Sequence, residues 1–126
     1  MSREREITDI LVGPSIRSPK TYGVGDDAAL LNNGCVVAMD SMVEGVHFNN
    51  LLSPEDIGWK LVAVNASDIS AMGREPQWAT LSVSLAASTG MEWVHGFSRG
   101  LHSALRKWGI KLVGGDTTRS EGPIFL

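Results

Sequence analysis

The segment from Ser53 to Gly73 constrains the fold most, because it is a well-marked helix that is apolar on most of its sides. Ser53 is a favourable N-cap, Pro54 suits the first helical position, and Asp56 completes a Ser-x-x-Asp capping pattern. A glycine at position 73 ends the pattern. One side carries Ile57, Leu61 and Val64, and the other carries Trp59, Val62, Ala66 and Ile69. A helix of this kind is buried between layers, so the sequence predicts a layered fold.

Strand and helix patterns alternate along the rest of the chain. Apolar and polar residues alternate with the period of a strand from Ala79 to Ala86, and a Thr-x-x-Glu pattern at Thr89 predicts the start of another helix. The predicted elements are a helix over Arg3–Val12, strands over Cys35–Met39, Ala79–Ala86 and Ile110–Val113, helices over Ser53–Gly73 and Thr89–Gly109, and a last strand from about Pro123. The order βαβαββ predicts an α/β (α+β two-layer) domain in which two long helices cover one face of a small mixed sheet.

Composition and charge favour an ordinary globular domain of 126 residues, with 43% hydrophobic residues and a net charge of −3. No Lys/Arg block suggests a nucleic-acid surface, and no apolar run is long enough to span a membrane. The N-terminal residues lack a secretory pattern, and Cys35 is the single cysteine, predicted to be a small buried hydrophobe. We therefore expect a cytoplasmic protein with neither nucleic acid nor membrane as a partner, and the strand-like residues at the C-terminus suggest a fragment.

Four acidic clusters are the candidate chemical groups: Gly25-Asp26-Asp27, Asp40-Ser41, Ser67-Asp68 and Gly114-Gly115-Asp116. Mg²⁺ prefers clustered oxygen ligands of this kind and usually works beside substrate phosphates. The chain has no Gly-x-x-x-x-Gly-Lys-Ser/Thr loop, no Gly-x-Gly-x-x-Gly motif, no Cys/His zinc spacing and no Gly-x-Ser-x-Gly elbow. The carboxylates are thus the strongest remaining signal of function.

Each of these residues also has an ordinary structural interpretation. Asp68 could point outward or accept hydrogen bonds from backbone amides, although a carboxylate in an apolar helix is costly unless it is paired or metal-bound. The glycines before Asp116 could form a simple turn, or they could let the backbone approach a phosphate. A lone histidine such as His47 is more often a surface or core residue than a ligand, although its position after the flexible Gly45 makes a phosphate contact feasible.

Four segments together resemble the thiamine-monophosphate kinase family, within its N-terminal, AIR-synthase-like (PurM-like) half. They are GDDAAL at 25–30, DSMVEGVHF at 40–48, VNASDISAMG at 64–73 and LVGGDTTR at 112–119. The resemblance runs in order across almost the whole chain, and the VEGVHF stretch and the Asn-x-Ser-Asp helix are its most specific parts. It implies that residues 1–126 are an N-terminal ATP- and Mg²⁺-binding domain without the C-terminal domain of the family.

The resemblance also implies site residues. Asp27, Asp40, Asp68 and Asp116 are expected to bind Mg²⁺, Gly115 and Asp116 to contact ATP, and His47 to contact thiamine monophosphate. No side chain is assigned as a catalytic nucleophile. The family usually has two hydroxyl residues before the aspartate of the second segment, whereas this chain has Ala38 and Met39 there.

The expected activity is the ATP-dependent phosphorylation of thiamine monophosphate to thiamine diphosphate, with Mg²⁺ held by carboxylates and the protein acting as a homodimer. Phosphoryl transfer needs positioning and charge neutralisation more than a protein nucleophile. Two alternatives stay open at this point. Related enzymes of the superfamily act on purine intermediates, selenide or hydrogenase-maturation proteins, and the chain could also be a non-catalytic dimerisation module.

Overall fold

The computed structural model describes residues 2–13 and 26–126, and its first helix begins where the sequence predicts. Helix α1 spans Arg3–Val12, with the Ser2 side chain accepting a hydrogen bond from the Arg5 backbone N–H at 3.3 Å. Gly13 ends the helix with a φ of 57°, a backbone conformation that favours glycine. No residue of α1 is buried, and Ile10 and Leu11 on its apolar face are largely exposed.

A short antiparallel hairpin follows, made of β1 (Ala29–Leu30) and β2 (Val36–Val37). The predicted Asn-Asn-Gly turn is present, and Gly34 adopts a φ of 84°. The strand predicted over Cys35–Met39 is shorter, because β1 offers only two residues for pairing. Cys35 is exposed, so the prediction of a buried thiol is wrong. The residue lies beside the turn of the hairpin, where the preceding residues are exposed too.

Helices α2 (Pro54–Ala71) and α3 (Met91–Trp108) pack against each other over much of their length. The Ser53 Oγ accepts from the Asp56 N–H at 3.1 Å, which confirms the predicted cap. The N-cap of α3 is Gly90 and makes no side-chain cap bond, so the cap predicted at Thr89 is wrong. The Thr89 N–H instead donates to the Ala86 carbonyl at 2.9 Å, which places Thr89 in the turn before the helix.

Glycines bring the two helices unusually close together. A side chain at Gly58 would overlap the Phe97 carbonyl oxygen, and one at Gly100 would overlap the Glu55 carbonyl oxygen. Arg99 forms a salt bridge with Glu55 at the same crossing, and this bond is the main reason that the pKa of Glu55 is lowered. The backbones are therefore in direct contact where α2 and α3 cross.

The main sheet pairs β3 (Trp78–Ala86) in parallel with β4 (Lys111–Ser120), with a register irregularity between Ala79 and Thr80. The strand predicted to end before Gly114 continues through the glycines to Ser120, because β3 supplies backbone partners along that length. The alternative in which Gly114-Gly115-Asp116 forms a simple turn is thus wrong.

The C-terminal residues extend this sheet on the other side of β3. Phe125 pairs antiparallel with Ser84 through two backbone hydrogen bonds of 2.7 and 3.0 Å, and Leu126 pairs with Met42 through two of 2.8 and 2.9 Å. The strand predicted from about Pro123 is thus represented by bridges around Phe125. Because β4 is parallel to β3 and Phe125 antiparallel, the sheet is mixed, as predicted.

The core lies between the helices and one face of the sheet. Leu81, Val83 and Leu85 of β3 pack on it, which confirms that both long helices cover the same face. The buried apolar residues of this core are Met42, Phe48, Ile57, Leu61, Val62, Phe97, Leu101, Ala104, Leu105, Ile124 and Leu126. On the opposite face Thr80 and Ser82 are exposed. Within the described part of the chain, no helix has the length and apolarity needed to cross a membrane.

Candidate functional site

Asp40 and Asp68 form a carboxyl pair between the segment after β2 and helix α2. Asp68 is half-buried, and its pKa is raised, chiefly by desolvation and then by the charge of Asp40 and a hydrogen bond between the two side chains. Two neighbouring carboxylates disfavour each other's ionisation unless a cation or a proton lies between them. The sequence motifs 28 residues apart therefore converge on one place in the fold, and the pair provides oxygen donors suited to a hard cation.

Asn65 holds the backbone of Asp40 in this arrangement. Its Oδ1 accepts from the Asp40 N–H at 2.8 Å, and its Nδ2 donates to the Asp40 carbonyl oxygen at 3.2 Å. The same Nδ2 donates to the Leu61 carbonyl one turn earlier in α2, at 2.9 Å. The sequence motif contains Asn65 but predicts no role for it. The one sequence signal of a role is its spacing of three residues from Asp68, which places both on one helix face.

His47 lies in a tight turn that fixes its imidazole ring. The Val43 N–H donates to Nδ1 of His47 at 2.9 Å, so Nδ1 carries no proton and the neutral ring carries its proton on Nε2. The His47 N–H in turn donates to the Val43 carbonyl at 2.9 Å, and the Gly45 N–H donates to the Phe48 carbonyl at 2.7 Å. His47 is exposed, which leaves its Nε2–H as a preoriented donor for a ligand.

Lys60 brings a positive charge to this turn. Its Nζ donates to the His47 carbonyl oxygen at 2.7 Å and thereby ties α2 to residues 43–48. Both side chains are exposed, so the remaining ammonium hydrogens face solvent. The sequence does not predict this role of Lys60, because a lysine on a helix carries no signal of a partner 13 residues away.

The other predicted site residues lie in two further places. Asp27 and Asp26 are exposed just before β1, where Asp26 Oδ1 accepts from the Asp27 N–H at 2.9 Å, and Gly25 of that motif lies outside the described residues. Asp116 is exposed in β4 opposite Ser82. Gly115 lies opposite Leu81, and a side chain there would overlap the Leu81 carbonyl oxygen. The close pairing of β3 and β4 is therefore sufficient to explain why this residue is a glycine.

Two of the four predicted Mg²⁺ ligands are thus brought together. Across residues 2–13 and 26–126, no group of three or more His, Cys, Asp or Glu side chains is arranged to hold a metal ion. Met39 is 85% exposed and is therefore not part of the core, while Ala38 is half-buried. Mg²⁺ is commonly bound by one or two carboxylates together with substrate phosphates, and the Asp40–Asp68 pair fits that use.

Comparison with known proteins places this chain in a family. The model of the AIR synthase related protein N-terminal domain matches residues 25–126. The chain belongs to this family. Among solved structures, thiamine monophosphate kinase from Aquifex aeolicus has a TM-score of 0.79 at 25% identity, over 99% of this chain and 43% of that one. A structure of AaThiL complexed with AMPPCP and TMP has a TM-score of 0.81 at 30% identity, with the same coverage.

Two curated relatives are thiamine-monophosphate kinases by name. Thiamine-monophosphate kinase from Buchnera aphidicola subsp. Acyrthosiphon pisum is 45% identical over 108 residues, which are 82% of this chain and 33% of that protein. The Escherichia coli K12 protein of the same name is 41% identical over 116 residues, which are 89% of this chain and 35% of that protein. The chain therefore spans about a third of the length of these relatives.

Proposed function

We propose that the protein carrying this chain transfers a phosphoryl group from ATP to thiamine monophosphate and so produces thiamine diphosphate. The observation that carries the proposal is the similarity to thiamine-monophosphate kinases, at 45% identity to the Buchnera protein, together with the fold shared with AaThiL complexed with AMPPCP and TMP. Because the chain corresponds to about a third of such proteins, the proposal concerns the complete gene product, in which this chain acts as an N-terminal ATP- and Mg²⁺-binding domain.

In this proposal Asp40 and Asp68 hold Mg²⁺, and Asp27 and Asp116 contribute further carboxylates. Desolvation, and then the neighbouring Asp40 carboxyl group, raise the pKa of Asp68. The close approach of the two carboxyl groups supports a cation at this place, because a cation would relieve their repulsion. When bound, Mg²⁺ neutralises the charge of the phosphates. Gly115 and Asp116 contact ATP from β4, where both residues are exposed.

His47 binds the phosphate of thiamine monophosphate. The hydrogen bond from Val43 to Nδ1 supports this role, since it leaves the Nε2–H to donate to an anionic oxygen. No protein nucleophile is required, because an oxygen of the substrate phosphate can attack the γ-phosphorus of ATP directly, while the bond to the β,γ-bridging oxygen breaks and ADP leaves. The contribution of this chain is to position two anions and to supply donors and acceptors around them.

We also propose that the domain forms a cytoplasmic homodimer through its sheet. The face of β3 opposite the helices and nearly all of β4 are exposed, including Val113 at 62%, which leaves a surface that a second copy could cover. A twofold axis would make such an interface isologous, with the same strands contributed by each copy.

The enzymatic proposal is tested by assaying the complete gene product with ATP, MgCl₂ and thiamine monophosphate, and by following thiamine diphosphate by chromatography. Thiamine in place of thiamine monophosphate is the substrate control, and a Ser103→Ala variant is the protein control, because Ser103 is exposed on α3, which contributes no residue to the candidate site. Formation of thiamine diphosphate only from the monophosphate supports the proposal. No product over a range of MgCl₂ concentrations, from protein that is folded by circular dichroism, would refute it.

A further inference from the structure

We infer that Asn65 is a positioning residue that sets the place of the Asp40 carboxylate relative to Asp68. Asn65 is neither a charged group nor an expected metal ligand, yet its amide makes three hydrogen bonds with two parts of the chain. The inference deepens the proposed function, on which its catalytic consequence rests. That Asn65 holds Asp40 in place follows from the hydrogen bonds alone and does not depend on the proposed function.

The three bonds fix the orientation of the amide. Two of the partners are carbonyl oxygens, of Asp40 and Leu61, and can only receive hydrogens from Nδ2. The third partner is the Asp40 N–H, which requires an oxygen acceptor and so identifies Oδ1. All the hydrogens of the amide and one lone pair of its oxygen are used, so the side chain has a single rotamer that satisfies every partner.

The Asn65 side chain makes the hydrogen bonds to the Asp40 backbone that a neighbouring strand would otherwise make. Strand β2 ends at Val37, and the Asp40 N–H and C=O lie beyond it. Asn65 pairs with both groups of the same residue, as the facing residue of an antiparallel strand does. The bond to Leu61 holds the amide against α2, so the position of Asp40 is tied to the helix axis.

Asp68 is on the same helix, one turn after Asn65. Residues three apart on a helix are neighbours on its surface, so α2 presents the amide that holds Asp40 and the carboxyl group that faces it. The separation of the two carboxyl groups is therefore set by one rigid element. Loss of the amide would free the Asp40 backbone and leave the pair without a fixed spacing for a cation.

The test compares three variants of the complete gene product. Asn65→Ala removes all three bonds, whereas in Asn65→Ser the hydroxyl can still bond the Leu61 carbonyl but is too short to pair with Asp40. Val64→Ala is the control, because Val64 is half-buried against the core. Its truncation lowers stability but leaves the hydrogen bonds between Asn65 and Asp40 in place. If the alanine variant does not fold, the serine variant still allows the loss of the bonds to Asp40 to be measured.

Two readouts require neither substrate nor activity. In the metal-free protein, hydrogen exchange of the Asp40 amide, followed by NMR, is expected to be slowed in the wild type and in Val64→Ala, and fast in both Asn65 variants. The rise of the thermal midpoint with MgCl₂ alone, which reports binding to the folded state, should need roughly 10- to 100-fold more MgCl₂ in the Asn65 variants, the typical effect of losing a partner that orients a metal ligand.

A third readout connects the positioning role to the proposed reaction. The MgCl₂ concentration for half-maximal activity should rise by the same factor in both Asn65 variants and stay within twofold of wild type in Val64→Ala. An Asp40 amide with unchanged protection in both Asn65 variants, or an MgCl₂ requirement equal to that of Val64→Ala, would overturn the inference. A wild-type protein that forms no thiamine diphosphate would refute the proposed function instead, while the amide exchange and the MgCl₂ response would still decide the role of Asn65.

Discussion

Gly100→Ala should destabilise the packing of α2 on α3, because the helix backbones are in contact at this glycine. The added Cβ would overlap the Glu55 carbonyl oxygen and lie 2.8 Å from the Glu55 Cα, so it meets backbone and not a movable side chain. Overpacking of a well-packed core costs about 1–3 kcal/mol, and a backbone overlap belongs at the upper end of that range. Alanine recovers about 1 kcal/mol of helix propensity over glycine. The net loss is therefore about 2 kcal/mol.

Gly96→Ala is a matched control on the same helix. Its Cβ would lie 3.0 Å from the Glu55 Oε1 and from the Pro54 Cβ, so part of the crowding falls on the end of a flexible side chain. The smaller packing cost of about 1 kcal/mol is offset by the gain in helix propensity of similar size, and the net change should stay within about 0.5 kcal/mol of zero.

Hydrogen exchange of the α2 and α3 amides measures this difference in the complete gene product, because local opening free energies do not require two-state unfolding of the whole protein. A loss of about 2 kcal/mol corresponds to roughly 30-fold faster exchange of the slowest amides, since each 1.4 kcal/mol is a factor of ten. Gly96→Ala should exchange within about threefold of wild type. Equal or slower exchange in Gly100→Ala would refute the reasoning, because two helices whose backbones touch cannot accept a methyl group at that point.

Three further predictions concern the site and the assembly. Because the pKa of Asp68 is raised in the folded state, the folded protein holds more protons than the unfolded chain as pH rises from the ordinary value of 3.8 through the raised pKa, and its stability falls over that range. Asp68→Asn should therefore melt at a higher temperature than wild type at pH 7 in EDTA and lose more than roughly 100-fold in activity, and a lower midpoint or wild-type activity would contradict this. Lys60→Met should raise the KM for thiamine monophosphate about threefold to tenfold with a smaller effect on kcat, whereas Lys107→Met, which removes an ammonium group that lies over the Trp108 ring, should leave KM unchanged. Equal KM values for both variants would exclude a role for Lys60. Light scattering over a dilution series should show a dimer, and a monomer persisting at high micromolar concentration would count against the sheet interface.

Local signals made the helices predictable from the sequence. The Ser53 cap, the following proline and the closing glycine are short-range features, and the structure has α2 between Pro54 and Ala71. The bounds of α1 were predicted for the same reason. Strand lengths were less predictable, because they depend on how much partner strand is available: β2 pairs over two residues, while β4 continues through two glycines along β3.

The site was predictable in its residue types but not in its contacts. Asp40 and Asp68 were chosen as oxygen donors, and the structure places them together, but the amide that links their elements acts across 25 residues of chain. The ring orientation of His47 depends on one backbone N–H in its turn. Such contacts arise only when the turn and the helix have packed, so no periodicity or spacing in the sequence reports them.

Helix α2 couples the core to the candidate site. On one side it touches α3 through Gly58, where only a glycine fits against the Phe97 carbonyl. On its other sides it reaches the segment 40–48 at three points: Lys60 bonds the turn of His47, and Asn65 bonds Asp40, which Asp68 faces. A displacement of α2 would therefore change all three contacts together. Under the proposed function, the close helix crossing would therefore matter to the site as well as to the fold, because it determines where the donors on α2 lie.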